Sequence, residues 1–211
     1  PQACFKRMQA LGLLEAISPA IKLTKRKEAV IEEIETLLSW YGLNYLEPAP
    51  EPWKPFLLGL TMGVNDADIR TVIQRLTLSE RQEREFLALR YEVVSVRDRF
   101  IRWGRRNGKI SELCEIFEHT PVEGVLYVMA RTPKEELRRH ISQYLIRHRE
   151  VRSSLGGDDL IALGLEPGPH FSRILHSLRN AKLDGRVTTL EEEREFARVI
   201  AEGIQEDMDK A

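Results

Sequence analysis

Phe86, Leu89, Val93, Val96, Phe100 and Trp103 recur at steps of three, four, three, four and three. That pattern follows one face of a 3.6-residue helix, whereas a half-buried strand would alternate at every second position. Ser79 and Gln82 form a candidate capping box at its start, so the spacing predicts one helix over 79–106. Such a helix needs other elements on which to bury its stripe. Those elements also read as helices. Val30, Ile31, Ile34, Leu37, Leu38 and Tyr41 keep the 3-4 spacing within 22–42, where Gly42 is expected to stop the run. A helix is expected from Trp53 to about Met62, and another carries Ile69, Val72, Ile73 and Leu76 behind a cap at Asn65 or Asp66. Three more are placed at 110–118, 122–130 and 134–149. The last two follow Thr120-Pro121 and Thr132-Pro133, each read as a cap and a first-turn proline. No segment alternates at period two for long enough to suggest a strand, and no fixed repeat period appears. The expected fold is all-α, an irregular multi-helix array made of a helical body and a smaller helical tail.

Two joints interrupt the array. Glu47 to Pro55, EPAPEPWKP, is proline-rich and reads as a stiff connector. Ser153 to Gly157, SSLGG, reads as a flexible joint, which divides the chain into a body over 1–152 and a tail over 153–211. In the tail, Asp158 and Asp159 suit a helix start, Gly164 suits a left-handed stop, and Leu165 reads as a plug. Pro169 then suits the start of a helix bearing Phe171, Ile174, Leu175, Leu178 and Ala181. Two readings of Pro167-Gly168-Pro169 stay open. It is either a compact corner or a turn that aims free N–H groups at an anion, with Gly168, His170 and Arg173 around it.

Charge is balanced overall, with 32 Lys and Arg against 33 Asp and Glu, so any basic surface must be local. From Arg97 to Arg152 there are 13 basic and 8 acidic residues; from Val187 onward there are 3 and 8. Arg99, Arg102, Arg105 and Arg106 fall away from the long helix's apolar stripe, and Arg138 and Arg139 lie near the rim of a later one. These are the candidate phosphate contacts. Their placement at a helix end, opposite Glu80, Glu83 and Glu85, equally suits the helix dipole. Lys25, Arg26 and Lys27 read as a solvated face.

Several chemistries are not written here. Cys4 and Cys114 are far apart and lack further ligands at zinc spacing, so they read as free thiols of a reducing, cytoplasmic protein with no metal site. No apolar run approaches the roughly 20 residues of a membrane span, and no signal peptide is recognised, so no membrane role is expected. Asp66-Ala67-Asp68 precedes a helical stripe, whereas a metal-gripping pair for nucleotidyl transfer must project from a strand. Glycine-rich phosphate loops, Cys-x-x-Cys pairs and Gly-x-Ser-x-Gly elbows are absent, so no catalytic residue is assigned. The chain opens at Pro1 without an initiator methionine and is expected to be part of something larger.

The pattern LxxLGLxPGPxFxxIL…AKLDGxVTTxEEE, from Leu160 to Glu193, resembles the C-terminal region of class II tRNA nucleotidyltransferases and poly(A) polymerases. The opening PQACFKRMQALGLLEAISPAI is similar to the stretch just after that family's nucleotide-reading helix. Ser172 departs from the pattern, since many relatives carry Gly there. The resemblance implies a helical body and tail that hold the elbow and stem of a tRNA. A catalytic head of the same parent chain, using Mg²⁺ with ATP or CTP, would add nucleotides to the RNA 3′ end. Two other functions remain open: a helical protein-interaction or scaffold module, and a helix-hairpin-helix DNA-binding unit suggested by the Gly-Pro loop. Oligomeric state is unassigned.

Overall fold

The computed structural model describes residues 1–209, with side chains through Glu202. Among the described residues there are α-helices, one 3-10 turn and no strand, which is the all-α array expected. The helices are α1 (Gln2–Ala10), α2 (Leu13–Ile17), α3 (Lys25–Leu43), α4 (Trp53–Leu60), α5 (Asp66–Arg75) and α6 (Glu80–Arg105). They continue with α7 (Ile110–Phe117), α8 (Val122–Ala130), α9 (Glu135–Ile146), α10 (Gly157–Ala162), α11 (His170–Leu183) and α12 (Leu190–Asp209). They group into two compact units. One comprises Pro1–Gly104 and Ile116–Ser142; the other comprises Arg105–Glu115 and the chain from Gln143 onward.

In the first unit, α8 is the central element. Val122 to Met129 are all buried, and the one charged residue among them, Glu123, accepts from Glu51 N–H at 2.8 Å. Helices α3 and α4 pack on it and on each other. Gly124 lets α6 approach closely, because a methyl group there would stand 2.8 Å from Leu89 Cδ1. The six-residue stripe of α6 is buried throughout, each side chain contributing about 1.5–3 kcal/mol on removal from water. Ser79 and Gln82 form the expected box: Ser79 N–H donates to Gln82 Oε1 at 3.0 Å, and Gln82 N–H to Ser79 Oγ at 3.4 Å. Asn65 caps α5 by accepting from Asp68 N–H at 2.9 Å.

Several local features differ from expectation. Gly42 does not stop α3, which runs to Leu43 and turns at Tyr45 with φ of 52°. Lys27 is buried rather than solvated, and burial pushes its ammonium below the usual lysine range. Neither Thr-Pro pair caps the next helix. The Thr120 hydroxyl is buried without a hydrogen-bond partner, and the Thr132 hydroxyl donates backward to Val128 O at 2.8 Å. Helix α9 ends at Ile146, and the last predicted turn is instead a 3-10 turn, His148–Glu150.

The second unit has its own core of Leu155, Leu160, Ile174, Leu178, Ala197 and Ala201, with α11 packed on α12. Helix α12 starts on a reciprocal cap. Glu192 accepts from Thr188 N–H at 2.6 Å and Thr189 N–H at 3.1 Å, while Glu192 N–H donates to Thr189 Oγ1 at 3.2 Å. Asp184 closes the start of α7, accepting from Ser111 N–H and Oγ, both at 2.9 Å. Ser153 and Ser154 belong to the stretch read as a flexible joint, yet both donate to the buried Glu193 carboxylate. Asp159 lies inside the first turn of α10, where it accepts from Gly156 N–H at 2.8 Å.

Candidate nucleic-acid interface

The six arginines singled out in the sequence are not equivalent in space. Within the first unit, Arg99 and Arg102 are exposed on α6, as the helical spacing requires. Arg99 reaches back to the carbonyl of Ile116 at 3.1 Å, which satisfies an α7 carbonyl and holds the guanidinium in place. Arg138 is spent on Glu33 of α3, an ion pair between residues far apart in sequence, with both side chains about one-quarter exposed. Arg139, its neighbour on α9, is exposed.

In the second unit, Arg105 and Arg106 are exposed, and Arg106 Nη2 donates to Glu112 Oε2 at 2.7 Å. The loop after α10 is tightly defined. Gly164 takes φ of 87° and donates to Ile161 O at 2.8 Å, while Leu165 N–H donates to Leu160 O at 3.2 Å. That pair of bonds is a Schellman ending, with glycine where a side chain would be strained. Pro169 has helical angles of −57° and −24° and stands just before α11. Gly168 O accepts from Phe171 N–H at 3.0 Å, closing the first turn. The His170 ring packs edge-on against Phe171, with centroids 5.2 Å apart. It also lies over Gly168, where a methyl group would stand 2.8 Å from His170 Cε1 and 2.9 Å from Nδ1. A side chain at 168 would have to displace the His170 ring. Ser172 and Arg173 are exposed in that turn, and Ile174 is buried beneath them.

Sequence reading missed the side chains that hold this unit together. Glu193 is 1% exposed. Burial works to raise its carboxyl. The Lys182 ammonium at 2.8 Å and the Ser153 and Ser154 donors outweigh that effect and hold it below the usual carboxylate range. The Asp184, Thr188, Thr189, Glu192 and Glu193 positions all lie in the LDGxVTTxEEE pattern. In this structure they cap, turn and tie helices, so the pattern marks architecture.

No family model matches the chain. Its sequence is 29% identical over 204 residues to an A-adding tRNA nucleotidyltransferase of Geobacter sulfurreducens, covering 96% of this chain and 23% of that protein. The fold matches a Thermotoga maritima CCA-adding enzyme complexed with tRNA at a TM-score of 0.76 and 17% identity, over 94% of this chain and 47% of that one. An apo form of a CCA-adding enzyme matches at a TM-score of 0.75 and 17% identity, over 96% of this chain and 46% of that one. The likeness to tRNA nucleotidyltransferases read from the loop pattern is thus borne out along nearly the whole chain. The chain spans 23% of the curated relative and under half of the solved chains.

Proposed function

We propose that this chain is the RNA-holding helical portion of a tRNA nucleotidyltransferase. The observation that carries the reading is the 29% identity to an A-adding enzyme across 96% of the chain. Exposed Arg102, Arg105, Arg139 and Arg173 supply positive charge on helices for an RNA backbone. Arg99 and Arg106 are exposed as well, but each already holds a partner within the protein. Nucleotide addition itself is assigned to a head domain of the parent. Paired carboxylates that grip Mg²⁺ must be free and must project together. Asp66 and Asp68 do not fit, because Asp66 accepts from the Tyr91 hydroxyl at 3.0 Å and Asp68 from Asn65 Nδ2 at 2.8 Å. Mg²⁺ with ATP or CTP belongs to the head. Cys4 and Cys114 are not joined in a disulfide, which suits a reducing cytoplasm.

A protein-interaction module is the second reading, favoured by Leu43 and Tyr45, which are 78% and 92% exposed. The two separate in a binding series with folded tRNA, duplex DNA and a polyanion without nucleic-acid shape. Tightest binding to tRNA supports the proposal. Equal binding to all three, or none, overturns it.

A further inference from the structure

A groove lies in the first unit, and none of the arginines singled out in the sequence lines it. It encloses about 240 Å³ between α4, the start of α5, the middle of α6 and the end of α8. That is below the roughly 300–1,000 Å³ of pockets for drug-sized ligands and suits one planar group. Tyr91 and Val94, one helical turn apart on α6, form an apolar rim, and they are 56% and 58% exposed. Both fall off the buried stripe of the helix, so core packing does not account for them. The Tyr91 hydroxyl donates to Asp66 at 3.0 Å, which fixes the ring while leaving much of it open.

The guanidinium groups of Arg90 and Arg131 both line the groove. Burial pushes the Tyr127 hydroxyl up, against the pull of Arg131, Arg90 and Arg97. Arg90 is held by the carbonyls of Thr61 and Val64 and lies 3.8 Å from Asp66, so its charge is already engaged within the protein. Arg97 sits beside Asp98 at 3.6 Å. Arg131 is the one poised to touch a ligand. Its guanidinium stacks 5.4 Å from the Tyr127 ring centroid, and Nη1 donates to the Tyr127 hydroxyl at 3.3 Å. That single bond leaves further N–H groups of a partly exposed fork.

An open, fixed aromatic ring beside a stacked arginine matches base stacking joined to phosphate pairing. We propose that this groove takes one unpaired nucleotide of a bound RNA, its base on Tyr91 and its phosphate on Arg131. The inference rests on the RNA-holding reading above and adds a single-strand site to it.

The test titrates the full chain with a short single-stranded RNA, the same strand annealed to its complement, and folded tRNA. Tyr91→Ala and Arg131→Gln should each weaken single-strand binding about tenfold and leave duplex binding unchanged. Tyr91→Phe, which keeps the ring, should restore most of the loss. The Tyr91 ring is exposed, so thermal melting should hold in both Tyr91 variants and exclude misfolding. Single-strand affinity that survives both Tyr91→Ala and Arg131→Gln overturns the inference, as does an equal loss with duplex. If the unaltered chain binds tRNA while the groove variants are silent, only the groove falls. If it binds no RNA, the function and the groove fall together.

Discussion

The Lys182 ammonium stands 2.8 Å from Oε1 of Glu193, and the same carboxylate accepts from Ser153 and Ser154. One buried anion thereby fastens α11 and α12 to the start of the segment leading into α10. A buried charge stripped of its partners is costly, and so is a buried set of donors stripped of their charge.

Glu193→Gln should therefore destabilise the second unit by about 1–3 kcal/mol, because Lys182 and three donors lose a charged acceptor. Denaturant melts followed by hydrogen exchange at 153–155 would read it. Lys182→Met should cost at least as much, since it leaves the buried carboxylate with the serine donors alone. Equal, negligible losses in both variants would remove the tie from the account.

Acid should act on the first unit through Glu85. Arg81 at 2.7 Å and then Lys54 at 2.9 Å hold its carboxyl down to about 2. A depressed carboxylate contributes stability that is complete above the unfolded value of about 4.3. That contribution is lost as pH falls toward about 2. The melting temperature should drop across that window, and less steeply in Glu85→Gln. Parallel curves for the two proteins would contradict this.

Arg102 and Arg105 should behave differently from Arg106 and Arg138. Replacing either of the first pair with Gln should reduce the salt dependence of tRNA binding by a log–log slope of roughly 0.7–0.9 per lost contact, with stability unchanged. Arg138→Gln should instead lower stability through Glu33, as Arg106→Gln should more weakly through Glu112. Titrations at several salt concentrations, with melts alongside, separate the two groups.

At the loop, Arg173→Glu should cost on the order of 1–3 kcal/mol in RNA affinity if a phosphate sits there. Folding should be unharmed, because a negative charge in a first helical turn suits the dipole. Binding retained at low salt would leave the loop as a corner only. Gly168→Ala should by contrast displace the His170 ring it faces at 2.8 Å.

Incubating the chain with tRNA, labelled ATP and CTP and Mg²⁺ should leave the RNA length unchanged. Extension that tracks with the pure protein would refute the assignment of catalysis to a separate head.

Features set by backbone geometry were legible in advance. The Phe86–Trp103 stripe is a periodicity that needs no knowledge of its partners, and Gly164 announces a left-handed residue by its missing Cβ. Asn65 and the Ser79–Gln82 box act within one turn, so sequence distance sufficed. Pairings over long distances were not legible. Glu193 sits in a run of three glutamates that looks uniformly solvent-facing, and only its neighbours in space make it different. Lys27 belongs to a basic cluster that looks solvated, yet packing covers it. Arg138 looked free because Glu33 is 105 residues away. The groove at Tyr91 and Arg131 draws on several helices, so no local pattern announces it. Thr132, an adequate cap by composition, instead donates one turn back to Val128 O, and the Thr120 hydroxyl is buried without a partner.

The bond between Ser111 and Asp184 joins residues 73 apart. A chain leaving the ribosome makes α7 long before it makes the carboxylate that closes the helix start. Until Asp184 emerges, the first-turn N–H of Ser111 has water as its partner, and 105–115 cannot take its final place. Vectorial synthesis thus delivers the first unit's long helix before the second unit can be completed, which waits for a wide loop to close. A stall in translation between α7 and Asp184 would release a chain whose α6 is fully made but whose α7 has not yet been anchored.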